Sequence, residues 1–282
     1  MSINDKEKKK LQRAILIIAC EVARICKKND IPYFINGGTQ IGAVRHNGFI
    51  PWDDDFDIGF KRKDYEKFIK ACDKDLNKDI FFLQTPETEE YYAFDFAKLQ
   101  LKGTEIIEDF SKNVKIQHGI FVDLFPHDNI PDCKLKRKLF LFKNHLMKNI
   151  LWVKCGYGEK KHKSKLSYKM VKFVSKFFSI KQIKQSRSKL LDKYNNTKTT
   201  QCIISDYPND LIMNSWLDDL QLFRFEEVEF YGIKQYDAYL KSLYGDYMSL
   251  PPESERIVHS NYKIDFGLYD GLLEDMLYGN NI

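Results

Sequence analysis

Residues Phe49–Phe60 read FIPWDDDFDIGF. Four aspartates, Asp53, Asp54, Asp55 and Asp57, stand among aromatic and aliphatic side chains. Carboxylates repel one another and resist leaving water, so they must be held apart from any core the same stretch enters. An extended backbone does this, because successive side chains point to opposite faces. Over Asp53–Phe60 it puts Asp53, Asp55, Asp57 and Gly59 on one face and Asp54, Phe56, Ile58 and Phe60 on the other. The second face can enter a core while the first lines a cleft. Asp55 and Asp57 then stand ~7 Å apart along the strand. A divalent cation would relieve their repulsion, and Mg²⁺ takes a few carboxylates together with substrate phosphates. A solvated acidic turn would show the same letters.

The neighbouring segments extend the pattern. IPYFIN (31–36) reads as a strand, Gly37-Gly38-Thr39 as a turn, and the residues that follow as a helical turn or short helix. Glycines let backbone N–H groups approach an anion, and a helix N-terminus favours negative charge. GIFVDLFP (119–126) reads as a strand stopped by Pro126, with Asp123 on the face of Phe121 and Phe125. A carboxylate there is costly unless it is paired or binds a metal. YAFDFAKLQL (92–101) alternates as a strand and carries Lys98 on the face of Phe94 and Phe96. Arg45 and Lys98, with the N–H groups of Gly38 and Thr39, are candidate phosphate contacts. Each cation would equally serve as a structural partner of an acid. His46 is a packing, capping or catalytic histidine, and Trp52 either packs or stacks on a base.

The remaining periodicities predict helices over residues 5–29 and Arg62–Cys72, the latter capped by Asp64. Strands are expected at 80–85 and 227–233, and a helix near Gln235–Leu243. Strands and helices interleave without a regular βαβ rhythm, which predicts an α+β fold with a mixed sheet.

The chain has 282 residues, 43% of them hydrophobic, enough to bury a sizeable core. The charged N-terminus lacks a signal-peptide pattern, and the six cysteines form no CxxC pair. Both point to a cytoplasmic protein with reduced thiols. The net charge of +5 is unevenly spread. Residues 134–198 hold 20 of the 45 Lys/Arg but only 2 of the 40 Asp/Glu, leaving 25 basic and 38 acidic residues elsewhere. This break divides the chain into a catalytic body, 1–130 plus 200–282, and a basic helical insertion, 131–199. Within it, Leu166, Met170, Phe173, Val174, Phe177 and Phe178 share a helix face apart from Lys169, Lys172 and Lys176. Such a helix either docks on an anionic membrane surface or packs its apolar stripe on the body.

Four blocks resemble the LicD family of nucleotidyltransferase-fold proteins: Ile35–Phe68, 96–108, 118–128 and 239–259. The first matches the family signature almost position for position. The resemblance implies a nucleotidyltransferase-like mixed sheet with flanking helices. It also implies transfer of a phospho-alcohol, phosphocholine from CDP-choline above all, to a sugar hydroxyl of a cell-surface glycan (lipopolysaccharide, teichoic acid or capsule), with release of CMP. Fukutin-related protein is a distant relative by the same acidic motif. The family's turn and carboxylates fall on Gly37, Gly38, Asp55, Asp57 and Asp123, with Asp53 next, and imply one or two Mg²⁺ or Mn²⁺ ions. Arg256 and His259 are candidate acceptor contacts by resemblance alone. Membrane docking by 134–198 would suit a lipid-linked acceptor at the inner face of the cytoplasmic membrane. A glycosyltransferase using a nucleotide-sugar and a non-catalytic glycan-binding relative are the rival readings. Nucleic acid is not an expected partner, since no recognised RNA-binding module accompanies the lysines.

Overall fold

The computed structural model describes residues 4–157, 166–256 and 261–277. The fold is α+β, built on a nine-stranded mixed sheet. Helix α1 (Asp5–Lys28) starts at a capping box: the Asn4 side chain accepts from the Glu7 N–H and the Glu7 carboxylate accepts from the Asn4 N–H. Its buried face carries Leu11, Ile15, Ile18, Val22 and Ile25. Full burial of each such side chain stabilises the fold by roughly 1.5–3 kcal/mol.

The predicted strand at 31–36 shrinks to β1 (Phe34–Ile35), and α2 (Gly37–His46) begins directly after Asn36. Strand β2 (Asp57–Lys61) pairs with β1 through Phe34 opposite Gly59. A Cβ at Gly59 would come within 2.3 Å of the Phe34 ring, so only glycine lets these strands close. Helix α3 (Arg62–Asp75) takes Lys61, not Asp64, as its N-cap, because β2 runs into it without a turn. Next come β3 (Phe81–Gln84), β4 (Ala97–Leu101), β5 (Glu105–Glu108) and β6 (Ile120–Asn129). The long strand expected at 92–101 is regular only from Ala97.

Strand β6 is the spine of the sheet. It lies parallel to β2 and antiparallel to β4. Contrary to expectation it does not stop at Pro126. The Asp123 N–H points to β2, donating to the Phe56 carbonyl, so position 126 turns its nitrogen to the other edge. On that edge β4 ends with Ala97 opposite Leu124, and β7 (Gln201–Ile204) joins only at His127. The missing proline N–H falls in the gap between partners, where no ladder bond is lost. Strand β8 (Tyr207–Met213) pairs with β7, and β9 (Leu220–Phe225) and β10 (Val228–Ile233) extend the β1 edge.

Phe56, Ile58 and Phe60 join Leu99, Val122 and Leu124 in a core with α1 and α3. A second, aromatic cluster joins Phe94, Phe96 and Phe125 to α4 (Lys134–Cys155) and α6 (Ile180–Leu191). Between these helices lies α5 (Leu166–Ser175), packed on α4. Buried Arg187 of α6 donates to Asn144 of α4 and to Ser205 and Asp206 beyond β7, tying the basic helices to the sheet. Helix α5 ends at Ser175, short of the face expected from the sequence, so Phe177 and Phe178 fall in the turn beyond it. The body does not cover the stripe: Leu166, Met170, Phe173 and Val174 of α5 are exposed, as are Phe177 and Phe178 after it. Helix α7 (Tyr236–Tyr244) packs near α2, while α8 (Asp270–Leu277) lies on α1. The short β11 (Asn261–Asp265) pairs with β5. All six cysteines are free. Among the described residues no helix is long and apolar enough to cross a membrane.

Candidate active site

The register of three adjacent strands builds the site. Asp57 of β2 lies opposite Asp123 of β6, and Asp123 lies opposite Lys98 of β4. Paired positions in a sheet turn their side chains to the same face, so the three form one transverse row. The row floors a cavity of about 490 Å³, also lined by Asp54, Asp55 and Glu108. A size of this order suits a small-molecule ligand.

Lys98 Nζ lies 3.0 Å from Asp123 Oδ1 and 3.9 Å from Glu108, with both carboxylates largely buried. The same ammonium sits 3.2 Å from the centre of the Phe121 ring. Burial raises the Asp123 carboxyl well above the usual carboxylate range; Lys98 opposes the shift, and Glu108 and Asp55 add to it. A resident lysine therefore supplies part of the positive charge that the acidic pattern demands.

Helix α2 begins at the cavity, where Asn36 and Gly37 line it. Gly37 has φ +52°, and a Cβ there would stand 2.9 Å from the Tyr244 hydroxyl, so glycine is required twice over. Tyr239 accepts from the Gly37 N–H at 2.9 Å and donates to the Asn36 side chain at 2.7 Å, fixing the turn. The Thr39 N–H donates to the Asn36 carbonyl, and its hydroxyl accepts from the Asp57 N–H at 2.9 Å. Thr39 thus braces the strand that carries Asp57.

Strict alternation begins only at Asp57. A turn at Pro51–Trp52 and irregular backbone over 53–56 break the parity expected there. Asp54, assigned by alternation to the apolar face, is buried and lines the cavity, whereas Asp53 does not line it. The Asp53 carbonyl accepts from Gln12, and a Cβ at Gly38 would stand 3.8 Å from the Asp53 carboxylate.

Four other candidates gather elsewhere. Arg45 and His46 end α2, at the opposite terminus from Gly37. Arg45 donates to His46 and to the Tyr247 carbonyl. Burial and the adjacent guanidinium lower the His46 pKa. The Arg256 guanidinium lies 4.5 Å from the centre of the Trp52 ring. None of these four lines the cavity. His259 lies outside the described residues.

Sequence reasoning missed much of the cavity wall. Lys148 and Trp152 enter from α4, Asp206 from the β7–β8 turn, Tyr207 and Asp210 from β8, and Tyr239 and Tyr244 from α7. Phe94, Phe96, Phe110 and Trp152 form an aromatic side, with the Trp152 ring 5.4 Å from Phe94 and 5.9 Å from Phe110. Only the crowding of aromatics in 92–96 signalled this wall.

A Mg²⁺ ion suits the donor chemistry. Asp57 and Asp123 on adjacent strands, with Asp55 on the irregular segment before β2, offer hard carboxylate oxygens at one cavity. Among the described residues no three acidic, His or Cys side chains close into a preformed metal cage.

Comparison with known proteins bears on this geometry. Residues 30–154 match the family described as LicD/FKTN/FKRP, nucleotidyltransferase domain. The match takes in the Asp57–Asp123–Lys98 row and runs through nearly all of α4. Over 252 residues the chain is 28% identical to the lipopolysaccharide cholinephosphotransferase LicD of Haemophilus influenzae, covering 83% of this chain and 89% of that protein. An uncharacterized protein of Rickettsia prowazekii is 60% identical over a match covering 23% of this chain and 32% of that one. Another, of Rickettsia typhi, is 60% identical over 13% of this chain and 12% of its own length.

Proposed function

Because residues 30–154 match the LicD/FKTN/FKRP nucleotidyltransferase-domain family, we propose that this chain is a transferase moving a phospho-alcohol from a CDP-alcohol to a sugar hydroxyl of a cell-surface glycan, releasing CMP. One observation carries the reading: the Asp57–Asp123–Lys98 row, set across three strands at the floor of a ligand-sized cavity.

In the proposed reaction the acceptor hydroxyl oxygen bonds to the distal phosphorus of the donor. The bond from that phosphorus to the bridging oxygen breaks, and CMP leaves with the electron pair. The hydroxyl proton passes to a cavity carboxylate. Phosphoryl chemistry asks mainly for positioning and for electrostatic stabilisation where negative charge builds. Lys98 would pair with the donor phosphates, and the N-terminus of α2 turns its positive end to the same cavity. Mg²⁺ held by Asp55, Asp57 and Asp123 would supply Lewis-acid neutralisation of the diphosphate.

The aromatic side favours choline among the alcohols. A quaternary ammonium is attracted to ring faces, and Phe94, Phe110 and Trp152 present three rings beside the Glu108 carboxylate. A polyol would ask instead for many hydrogen-bond partners. The H. influenzae relative is named a cholinephosphotransferase acting on lipopolysaccharide, which supports this choice and a glycan acceptor.

The test is turnover of CDP-choline, CDP-ribitol and UDP-sugars with Mg²⁺, in the native chain and in Asp57→Asn. CMP release from CDP-choline, reduced about a hundredfold or more in a folded Asp57→Asn variant, is expected. Release from UDP-sugars alone would make the chain a glycosyltransferase, and unchanged turnover in Asp57→Asn would remove that residue from the mechanism.

A further inference from the structure

Helix α4 has two apolar sides. Phe140, Asn144, Leu151 and Cys155 face inward and are buried. Leu135, Leu139, Phe142 and Leu146 recur at helical spacing on the opposite side, and all four are exposed, Phe142 by 63%. Lys136 and Lys143 flank this outer stripe on one side, Lys134 and Lys138 on the other, all exposed. Helix α5 repeats the arrangement. Tyr168 and Ser175 are buried, whereas Leu166, Met170, Phe173 and Val174 are exposed, Phe173 by 60%; Phe177, 70% exposed, and Phe178 continue the apolar surface in the turn just past the helix. The helix also carries Lys169 and Lys172, and Lys176 follows its end.

Ten large apolar side chains in exposed stripes exceed what a soluble surface ordinarily shows, and such patches mark docking sites. We propose that the outer faces of α4 and α5 bind the surface of an anionic phospholipid bilayer, with the apolar stripes entering the headgroup–acyl boundary. Charge selects this occupant. The segment 134–198 holds 20 Lys/Arg against two acids, so a second copy would bring like charge against like. An anionic bilayer is complementary to both lysines and stripes. The helices lie on the membrane rather than across it, since none of those described can span it. The inner side of α4 carries Lys148 and Trp152 into the cavity, so one helix touches both bilayer and site.

The experiment is co-sedimentation of the full chain with vesicles, read without substrate. One set is pure phosphatidylcholine; the other contains about one-third phosphatidylglycerol. Binding to the anionic set is expected, weakened in about 0.5 M salt. The Phe142→Glu/Phe173→Glu/Phe177→Glu variant should bind about tenfold or more weakly. All three sites are exposed, so its far-UV circular dichroism and unfolding midpoint should match the parent. Leu222→Glu, on an exposed position of β9, should bind like the parent. Equal sedimentation with both vesicle sets, or undiminished binding by the triple variant, overturns the proposal. So does a protein dimer that the triple variant dissolves in the absence of any vesicle binding. Failure of donor turnover leaves these readouts untouched, so the two readings fail separately.

Discussion

Replacing Arg187 by leucine should remove the main polar link between the basic helices and the sheet. Arg187 is 1% exposed, and its guanidinium donates to Asp206 at 3.0 Å, to Asn144 at 3.0 Å and to Ser205 at 3.3 Å. At that separation the gross attraction between the charges is ~5 kcal/mol for an effective dielectric constant near 20. Most of it offsets the desolvation of two buried ions, so the pair itself adds little net stability. Truncation is different, because it leaves the Asp206 carboxylate buried without its cation. Removing one partner of a buried pair costs roughly 3–5 kcal/mol, and Arg187→Leu should fall in that range. Arg187→Lys keeps a charge but loses the fork, and should cost less. Arg187→Leu/Asp206→Asn removes both charges and should regain much of the loss. Urea unfolding followed by far-UV circular dichroism supplies all three numbers. A loss under about 1 kcal/mol in Arg187→Leu, or no recovery in the double variant, would refute the argument from buried charge.

Other consequences concern pH and the site. His127 is buried against Phe34, and burial lowers its pKa from 6.5 to about 4. The unfolded chain binds this proton between those values and the folded one does not. Stability should therefore fall by about 2 kcal/mol from about pH 7 to about pH 5 on this account alone. His127→Asn should show a shallower fall in paired urea titrations; an identical slope would exclude the histidine. Lys98→Met removes the ammonium that holds the Asp123 pKa down, so that carboxyl should titrate about one unit or more higher. Carboxyl NMR of chelator-treated protein reads the shift, and an unmoved titration would mean that the pair is not electrostatically coupled.

Much of the site was legible because the carboxylate row obeys period-two alternation. Asp123 and Lys98 each stood out as a charge on an apolar strand face and Asp57 as one of the carboxylates opposite such a face, and register brings the three together. Asp54 was misplaced because alternation was carried back across a turn, where no ladder fixes the side-chain direction. Pro126 misled for a related reason. A proline ends a strand only where its N–H is needed, and which edge is vacant is a tertiary fact. Asp64 looked like a cap because helix starts are usually preceded by a turn, and here the strand feeds the helix directly. The wall formed by Lys148, Trp152, Asp206 and Asp210 depends on packing between segments distant in sequence, which local periodicity does not encode. The same holds for the stripe on α5. Its amphipathicity was visible, but whether the body covered it was not.

The change of partner along β6 gives the protein an adjustable gauge. Ala97 begins one neighbour and Ile204 ends the other, and the residues flanking these termini, Phe94, Phe96, Asp206 and Tyr207, stand around the ligand space. An unbroken edge would have filled that space with backbone. Because the sheet forks here, adding or trimming a residue at either strand end would resize the chamber while the charged floor stayed in place. Variation in cargo can thus accumulate at the fork without touching the chemistry beneath it.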